Sequence, residues 1–257
     1  MPLRWDPDQY ARYGAERSRP FFDLVSQIGA AAPAAVTDVG CGSGELTVTL
    51  AERWPAATVR GIDSSTDMIA RAPRGKEARG VSFAVARAQD FDATGTDVVV
   101  SNAALQWVPG HDELLGDWSR QLNAGGWIAF QVPDNFQAPS HRLMRELADS
   151  PAWRARLHGV LRADPVSPPA AYLDLLAARG LRVNAWQTEY EHVLTGPDPV
   201  LEWVRATGLR PVLAALSEAD AARFSAQYAA LLHEAYPAKP YGTVFGFRRT
   251  FVVAAKP

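Results

Sequence analysis

The chain has 257 residues, 47% of them apolar, and its 26 basic against 28 acidic side chains give a formal charge of −2. This composition supports a sizeable core, and no basic excess suggests a nucleic-acid surface. One cysteine excludes an intrachain disulfide, and the five scattered histidines predict no metal site. We expect a cytoplasmic protein, because its start lacks a secretory signal pattern and no apolar run is long enough to span a bilayer.

Strands and helices are predicted to alternate over the first half of the chain. β-Branched and apolar runs indicate buried strands, and apolar residues at helical spacing indicate the helices between them. Strands are predicted at 36–39, 58–62, 81–86, 97–101 and 127–132, and helices at 6–28, 46–54, around 68 and at 111–121. Such alternation is typical of a parallel sheet with right-handed crossovers.

The second half of the chain follows a different pattern. Helices are predicted at 140–162, 170–179 and over most of 198–236, and two late strands, at 181–194 and 243–254, are predicted to pair antiparallel at one sheet edge. We expect a single α/β domain with a doubly wound, mostly parallel, seven-stranded sheet. Its core is predicted at about 30–136, 181–195 and 243–257, and a helical cap is predicted from 1–28, 137–165 and 198–236, over the strand ends where such sheets bind ligands.

A glycine-rich loop follows the first predicted strand. The strand contains Asp38, and Gly40, Gly42 and Gly44 lead into the next helix. Glycines let backbone approach a ligand closely, and a strand, glycine loop and helix form the nucleotide site of doubly wound sheets. The spacing is G-x-G-x-G rather than the dinucleotide G-x-G-x-x-G. Asp38 would also repel a pyrophosphate, whereas it would favour the ammonium group of an adenosyl ligand.

This loop resembles the first motif of class I S-adenosylmethionine-dependent methyltransferases, and later segments follow in that family's order. The resemblance implies a Rossmann-like fold. It also implies that Asp38 and the glycines hold the methionine part of the cofactor, that Asp63 accepts the ribose hydroxyls, and that Asp90 accepts the adenine amine. Flanking positions are predicted at Ser64, Met68 and Gln89, and the segment containing Asn102, Ala103, Gln106 and Trp107 is predicted to lie beside the reactive methyl group.

Further segments resemble a narrower family, the trans-aconitate methyltransferases. They are residues 5–10, 17–21, 97–108, 131–136, 139–141, 198–211 and 245–251. The resemblance implies methyl transfer from S-adenosyl-L-methionine to one carboxylate of trans-aconitate, giving a monomethyl ester and S-adenosyl-L-homocysteine. A carboxylate has a reference pKa near about 4 and is already ionised at neutral pH. We therefore expect no catalytic acid or base, and we expect Gln106 and Trp107 to position the reactants.

The other carboxylates of such a substrate need cations or hydrogen-bond donors. The predicted substrate residues are Tyr13, Gln106, Trp107, Asn135, His141, Trp203, Arg205, Arg210, Tyr241, Arg248 and Arg249. Tyr10 and Arg19 are predicted to cover the cofactor instead.

Three other functions fit parts of the pattern. A small-molecule O-, N- or C-methyltransferase could use His111 or His141 as a base. A non-catalytic module could bind an adenosyl nucleotide or NAD, although the glycine spacing and Asp38 disfavour NAD. A nucleic-acid methyltransferase is disfavoured because no basic stripe is present. We expect a monomer that acts on a small anionic acid, without nucleic-acid or membrane partners.

Overall fold

A computed structural model describes residues 14–161, 166–205 and 207–257 of the chain. Its contacts divide the chain into two compact units. At its described positions the larger unit comprises 15–133, 166–188 and 249–257, and the smaller one comprises 14, 134–161, 189–205 and 207–248. The single domain with a helical cap stays a prediction.

The strands form a mostly parallel sheet, as predicted. They are β1 (Ala35–Val39), β2 (Thr58–Asp63), β3 (Ser82–Val85), β4 (Val98–Asn102), β5 (Trp127–Pro133), β6 (Arg182–Leu194), β7 (Ala238–Lys239) and β8 (Gly242–Ala255). The strand order is β3-β2-β1-β4-β5-β8-β6. The first five strands of the chain pair with their neighbours in parallel, and β8 is antiparallel to β5. The two-residue β7 pairs with β8 as an eighth strand, where seven were predicted, because two residues are too few to give a periodic pattern.

The observed helix boundaries differ from the predicted ones mainly in the second half of the chain. They are α1 (Gly14–Ser26), α2 (Glu45–Arg53), α3 (Thr66–Ala70), α4 (His111–Gln121), α5 (Pro139–Ala148), α6 (Arg154–Leu157), α7 (Pro169–Ala177), α8 (Pro199–Arg205), α9 (Arg210–Ala215) and α10 (Glu218–Ala235). The helix predicted at 140–162 is broken after Ala148, because Pro151 disfavours helical backbone in the residue before it. The segment 198–236 contains three helices, and Ser217 caps the third by accepting from the backbone N–H of Asp220.

The larger unit places a switch point of the sheet between β1 and β4. The chain moves from β1 outward to β2 and β3, then returns to β4 and continues to β5. β4 is buried along its first four residues, with Val99 in a core cluster that also holds Val39, Ile62 and Phe130. Ligands of open α/β sheets bind beyond the carboxyl ends of the strands at such a point. The loops after β1 and β4 are therefore the expected position of a ligand site.

The smaller unit has an aromatic core of its own. Trp153, Trp203, Phe224 and Phe245 are each at most 1% exposed and belong to one cluster. Trp203 packs edge-on against Phe245, with ring centroids 5.7 Å apart.

Across the described part of the chain, no helix combines the length and apolar character needed to cross a membrane.

Candidate functional site

The glycine loop after β1 is held against the end of β2 and the loop after β4. The backbone N–H groups of Gly40 and Cys41 both donate to the carbonyl of Ile62, at 2.8 and 3.0 Å. Gly40, Gly42 and Gly44 all have positive φ, at 82°, 58° and 81°. A Cβ at Gly40 would overlap the Cβ of Ala104, so this position requires glycine both for its conformation and for the close approach of the two loops.

Asp63 at the end of β2 organises the two loops beside it. Its Oδ2 accepts from the backbone N–H of Gly42 at 3.0 Å, and its Oδ1 accepts from that of Ser65 at 2.8 Å. The N-cap of α3 is Ser65 itself, whose hydroxyl accepts from the N–H of Met68. Each carboxylate oxygen has a second lone pair, so Asp63 can still accept two hydroxyl groups.

Asp38 is a buried acid with one unpaired oxygen. Its side chain is only 2% exposed. Burial raises its pKa to about 7, the hydrogen bond from Thr47 opposes that rise, and the nearby charge of Asp63 adds to it. Oδ2 accepts from the Thr47 hydroxyl at 2.6 Å, and Oδ1 has no hydrogen-bond partner among the described residues. A cationic donor would satisfy this oxygen, so the site fits the predicted ammonium group.

The predicted adenine-binding residues lie after β2 and β3 in the same unit. Met68 is buried, and Ser64, Gln89 and Asp90 are exposed. Gln89 and Asp90 belong to a 3-10 turn at Ala88–Asp90. A carboxylate oxygen of Asp90 lies 3.1 Å from Nε of Arg87, with both side chains more than half exposed. Asp90 is thus partly engaged by Arg87, and its predicted contact with adenine stays a prediction.

The loop after β4 contains a strained residue and a second unpaired oxygen. Ala103 has a φ of 53°, which is uncommon for a residue with a side chain. Gln106 is 6% exposed, and its Nε2 donates to the carbonyl of Ala103 at 2.6 Å. Its Oε1 has no partner within the described residues. Trp107 is 38% exposed, so the loop offers a buried acceptor beside a partly exposed flat ring.

Asn102 connects this loop to a series of buried, hydrogen-bonded polar side chains. Nε2 of Gln131 donates to Oδ1 of Asn102 at 2.6 Å, and Nη1 of Arg249 donates to Oε1 of Gln131 at 3.1 Å. Gln131 is fully buried and Arg249 is 4% exposed. The guanidinium of Arg249, predicted as a substrate residue, therefore lies within the larger unit and contacts an amide there.

In the smaller unit, Asn135 has an unpaired donor. It is 3% exposed, and its Oδ1 accepts from the backbone N–H of Arg248 at 2.6 Å. Its Nδ2 is buried and has no partner among the described residues. The Arg248 side chain donates through Nε to the carbonyl of Asp134 at 3.2 Å. Asn135 is thus oriented with its two N–H donors available.

The other predicted substrate residues of the smaller unit occupy different settings. Trp203 is 1% exposed within the aromatic core, and Arg205 pairs with Glu202 at 3.0 Å. Arg210 begins α9 and is partly buried. Tyr241 is 59% exposed, with Nζ of Lys239 5.8 Å from its ring centroid. Arg205 and Trp203 therefore already have protein partners.

The predicted cofactor cover falls largely outside the described residues, which exclude Tyr10 and the substrate residue Tyr13. Arg19 lies on α1, where its exposed side chain is 3.7 Å from a carboxylate oxygen of Asp23.

Comparisons with known proteins point to one family. Residues 36–126 match a family model described as a methyltransferase domain. Full-length relatives include two proteins named trans-aconitate 2-methyltransferase. The one from Streptomyces avermitilis is 51% identical, covering 98% of this chain and 97% of the relative. The one from Rhodococcus jostii is 50% identical, covering 97% and 98%.

The chain belongs to the trans-aconitate 2-methyltransferase family.

Solved structures show the same fold at low identity. The YcgJ protein from Bacillus subtilis has a TM-score of 0.59 at 13% identity, covering 93% of this chain and 98% of that one. Phosphoethanolamine N-methyltransferase 2 from Haemonchus contortus, solved with S-adenosyl-L-methionine, has a TM-score of 0.55 at 18% identity and covers 93% of this chain and 52% of that one. This member of the trans-aconitate 2-methyltransferase family thus has the fold of methyltransferases.

Two histidines, His111 and His141, are candidate bases. His111 is 6% exposed, its Nε2 is 2.7 Å from the hydroxyl of Tyr172, and its Nδ1 is 3.2 Å from the carbonyl of Val108. Burial, followed by the charge of Arg145, lowers the pKa of His141 to about 4. In this family member His111 is thus occupied in the core of the larger unit, and His141 is a weak base. Among the described residues, no group of three or more His, Cys, Asp or Glu is placed to hold a metal ion.

Sequence reasoning missed two residues of the candidate site. Thr47 binds Asp38 from the first turns of α2, and Gln131 links Asn102 to Arg249. A signal existed for Gln131, because a lone amide within the apolar run of β5 has to be hydrogen-bonded when it is buried. Thr47 gave a weaker signal, since threonine is unremarkable in a helix.

Proposed function

We propose that this chain transfers the methyl group of S-adenosyl-L-methionine to one carboxylate of trans-aconitate. The products are a monomethyl ester and S-adenosyl-L-homocysteine. The observation that carries the proposal is the identity of 51% and 50%, over almost the whole of both chains, with relatives named for this reaction. The buried Asp38 and the glycine loop at the switch point of the sheet support the choice of cofactor.

Four groups of residues are proposed to hold the cofactor, which supplies an electrophilic methyl group when bound. The free oxygen of Asp38 would accept from its ammonium group, and Asp63 would accept from its ribose hydroxyls. The backbone around Gly40, Gly42 and Gly44 would line its methionine part. The remaining proposed contacts are Ser64, Met68, Gln89, Asp90, Asn102, Ala103, Tyr10 and Arg19.

The reaction needs alignment rather than a base. The attacking carboxylate is ionised at neutral pH because its reference pKa is near about 4. The engaged ring of His111 and the lowered pKa of His141 agree with this route. Holding two reactants in line can contribute about 7–11 kcal/mol at best. We assign this alignment to Gln106 and Trp107, whose buried amide and partly exposed ring border the loop after β4.

Asn135 is the strongest proposed substrate contact in the smaller unit. Its amide carries a buried donor without a partner among the described residues, and a charge-assisted bond to a carboxylate would satisfy it. The other proposed contacts are Tyr13, Gln106, Trp107, His141, Trp203, Arg205, Arg210, Tyr241, Arg248 and Arg249. The proposal includes a monomeric cytoplasmic enzyme that requires no metal.

The test is an acceptor screen with the purified chain. S-Adenosyl-L-methionine is supplied with trans-aconitate, citrate, a phenol or an amine, and methylated products are identified by mass spectrometry. We expect a monomethyl ester of trans-aconitate and an equal amount of S-adenosyl-L-homocysteine. Methylation of the phenol or amine in preference to every acid would contradict the substrate assignment. Tight binding of NAD without any methyl transfer would favour a non-catalytic module.

A further inference from the structure

A buried hydrogen-bond chain in the larger unit ends at the candidate site. Asn102 and Gln131 are paired neighbours on β4 and β5, and Gln131 is paired with Phe251 on β8. Arg249 lies two residues before Phe251, so its side chain emerges on the same face of the sheet as that of Gln131. The three side chains therefore form one row across β4, β5 and β8.

The row has a fixed direction because arginine can only donate hydrogen bonds. Nη1 of Arg249 requires an acceptor, so Gln131 must present Oε1 to it, at 3.1 Å. Nε2 of Gln131 then faces Asn102, which must accept through Oδ1, at 2.6 Å. The guanidinium two strands away thus determines which atom of the Asn102 amide is the oxygen and which is the nitrogen.

The end of this row opposite Arg249 is a donor. Nδ2 of Asn102 takes no part in the row, and Asn102 is only partly buried. Gln131 also fixes the next residue, because its carbonyl accepts from the backbone N–H of Ala103 at 2.9 Å. Asn102 thus presents an oriented N–H pair at the carboxyl end of β4, next to the switch point.

We propose that Arg249 and Gln131 are positioning residues that orient the Asn102 amide to donate to a ligand carboxylate. The inference rests on the proposed function, which offers two such groups: the methionyl carboxylate of the cofactor and a carboxylate of the acid substrate. Arg249 acts through Gln131 and Asn102 and need not touch the ligand itself.

The test reverses the direction of the row with near-isosteric variants. In Gln131→Glu both carboxylate oxygens accept, so the Asn102 amide must turn its nitrogen inward and its oxygen toward the ligand. Asn102→Asp places an acceptor at the same position directly. Both variants are expected to weaken carboxylate binding on the order of tenfold, the usual effect of losing one hydrogen bond to a charged group. Gln187→Glu is the matched control, because Gln187 donates to Thr250 on β8 at 3.3 Å and lies outside the row.

Two measurements identify the carboxylate. Calorimetry with S-adenosyl-L-homocysteine reports the cofactor arm, and the KM for trans-aconitate at saturating cofactor reports the substrate arm. The proposal is supported if both variants raise either the dissociation constant for S-adenosyl-L-homocysteine or the KM for trans-aconitate while the control leaves both unchanged. Arg249→Lys keeps a donor-only group and is expected to retain binding better than Arg249→Met, which releases the Gln131 amide.

Unchanged constants in Asn102→Asp and Gln131→Glu, with only a lower melting temperature, would overturn the proposal and leave the row a packing feature. If Gln131→Glu does not fold, Asn102→Asp tests the donor, and the comparison of Arg249→Lys with Arg249→Met tests its positioning. If the wild-type chain methylates no acid, the proposed function fails, whereas the calorimetric arm still tests the row.

Discussion

Asp38 is a residue whose burial makes it responsive to pH. Its folded-state pKa of about 7 lies above the ordinary value of 3.8 for an aspartate. Between these values the folded chain holds the proton more firmly than the unfolded chain does. The contribution of Asp38 to stability therefore falls as pH rises from about 4 to about 7 and is constant above that range. A bound ammonium group would favour the ionised form and release the proton.

The affinity for S-adenosyl-L-homocysteine should consequently rise with pH up to about 7, by as much as about tenfold per pH unit below the pKa. Calorimetry between pH 5.5 and 8.5, in buffers of different ionisation enthalpy, measures both the affinity and the released proton. In Asp38→Asn the pH dependence should disappear. An equal slope in that variant would show that another group titrates.

Asp63 has a second residue-scale consequence. Asp63→Asn keeps the size of the side chain but replaces one acceptor oxygen with a donor, so a bond to the Gly42 or Ser65 N–H group, or to a ribose hydroxyl, is lost. We expect the affinity for S-adenosyl-L-homocysteine to fall about 10- to 100-fold. Asp67→Asn, an exposed acid on α3, is the control. Equal affinities for the two variants would remove Asp63 from the ribose site.

The glycine loop is the element on which the site depends, and two of its glycines should behave differently. A Cβ at Gly40 would overlap Ala104, whereas a Cβ at Gly42 meets no atom within 4 Å. Gly40→Ala should therefore destabilise the fold, and Gly42→Ala should fold while obstructing the cofactor. Gly95→Ala controls for positive φ, because Gly95 has a φ of 75° and open space around its Cβ position.

Thermal melting and the affinity for S-adenosyl-L-homocysteine separate these effects. We expect Gly42→Ala to melt like Gly95→Ala but to bind on the order of tenfold more weakly, because the added methyl group would occupy space needed by the ligand. If both variants bind equally well, the backbone at Gly42 does not line the cofactor.

Elements formed by local signals were predictable, and those set by distant partners were not. The glycines after β1 and the capping serine before α3 are short-range signals, and α4 has the predicted bounds His111–Gln121. The break after Ala148 was marked by a proline but hidden by helical periodicity on both sides. The row from Asn102 to Arg249 could not be predicted from the sequence. Its last hydrogen bond joins residues 118 positions apart and depends on the register of β5 and β8.

On the scale of the whole molecule, one tryptophan in each unit contrasts a core role with a site role. Trp203 fills the core of the smaller unit, and Trp107 is 38% exposed in the larger one. Trp203→Ala should lower the free energy of unfolding by about 3–5 kcal/mol. Trp107→Ala should cost much less stability but raise the KM for trans-aconitate. Denaturant titration and steady-state kinetics measure the two effects. A Trp203→Ala variant with unchanged stability would show that this ring does not hold the core together.

Because the acceptor carboxylate is already ionised, the whole enzyme should work without a metal ion. No Lewis acid is needed to activate the acceptor, so prolonged dialysis against EDTA should leave the rate of ester formation unchanged. Activity that is lost on dialysis and restored by a divalent cation would contradict the metal-free proposal.

Cys41, the only cysteine in the chain, lies between two glycines of the loop after β1. Burial, reinforced by the negative charges of Asp38 and Asp63, raises the pKa of its thiol well above the usual range. Since the thiolate is the reactive form, alkylating reagents should label Cys41 slowly. A cysteine introduced at an exposed position would therefore be labelled with a fluorophore in preference to Cys41. Fluorescence studies of this enzyme during turnover would not require removal of the native cysteine.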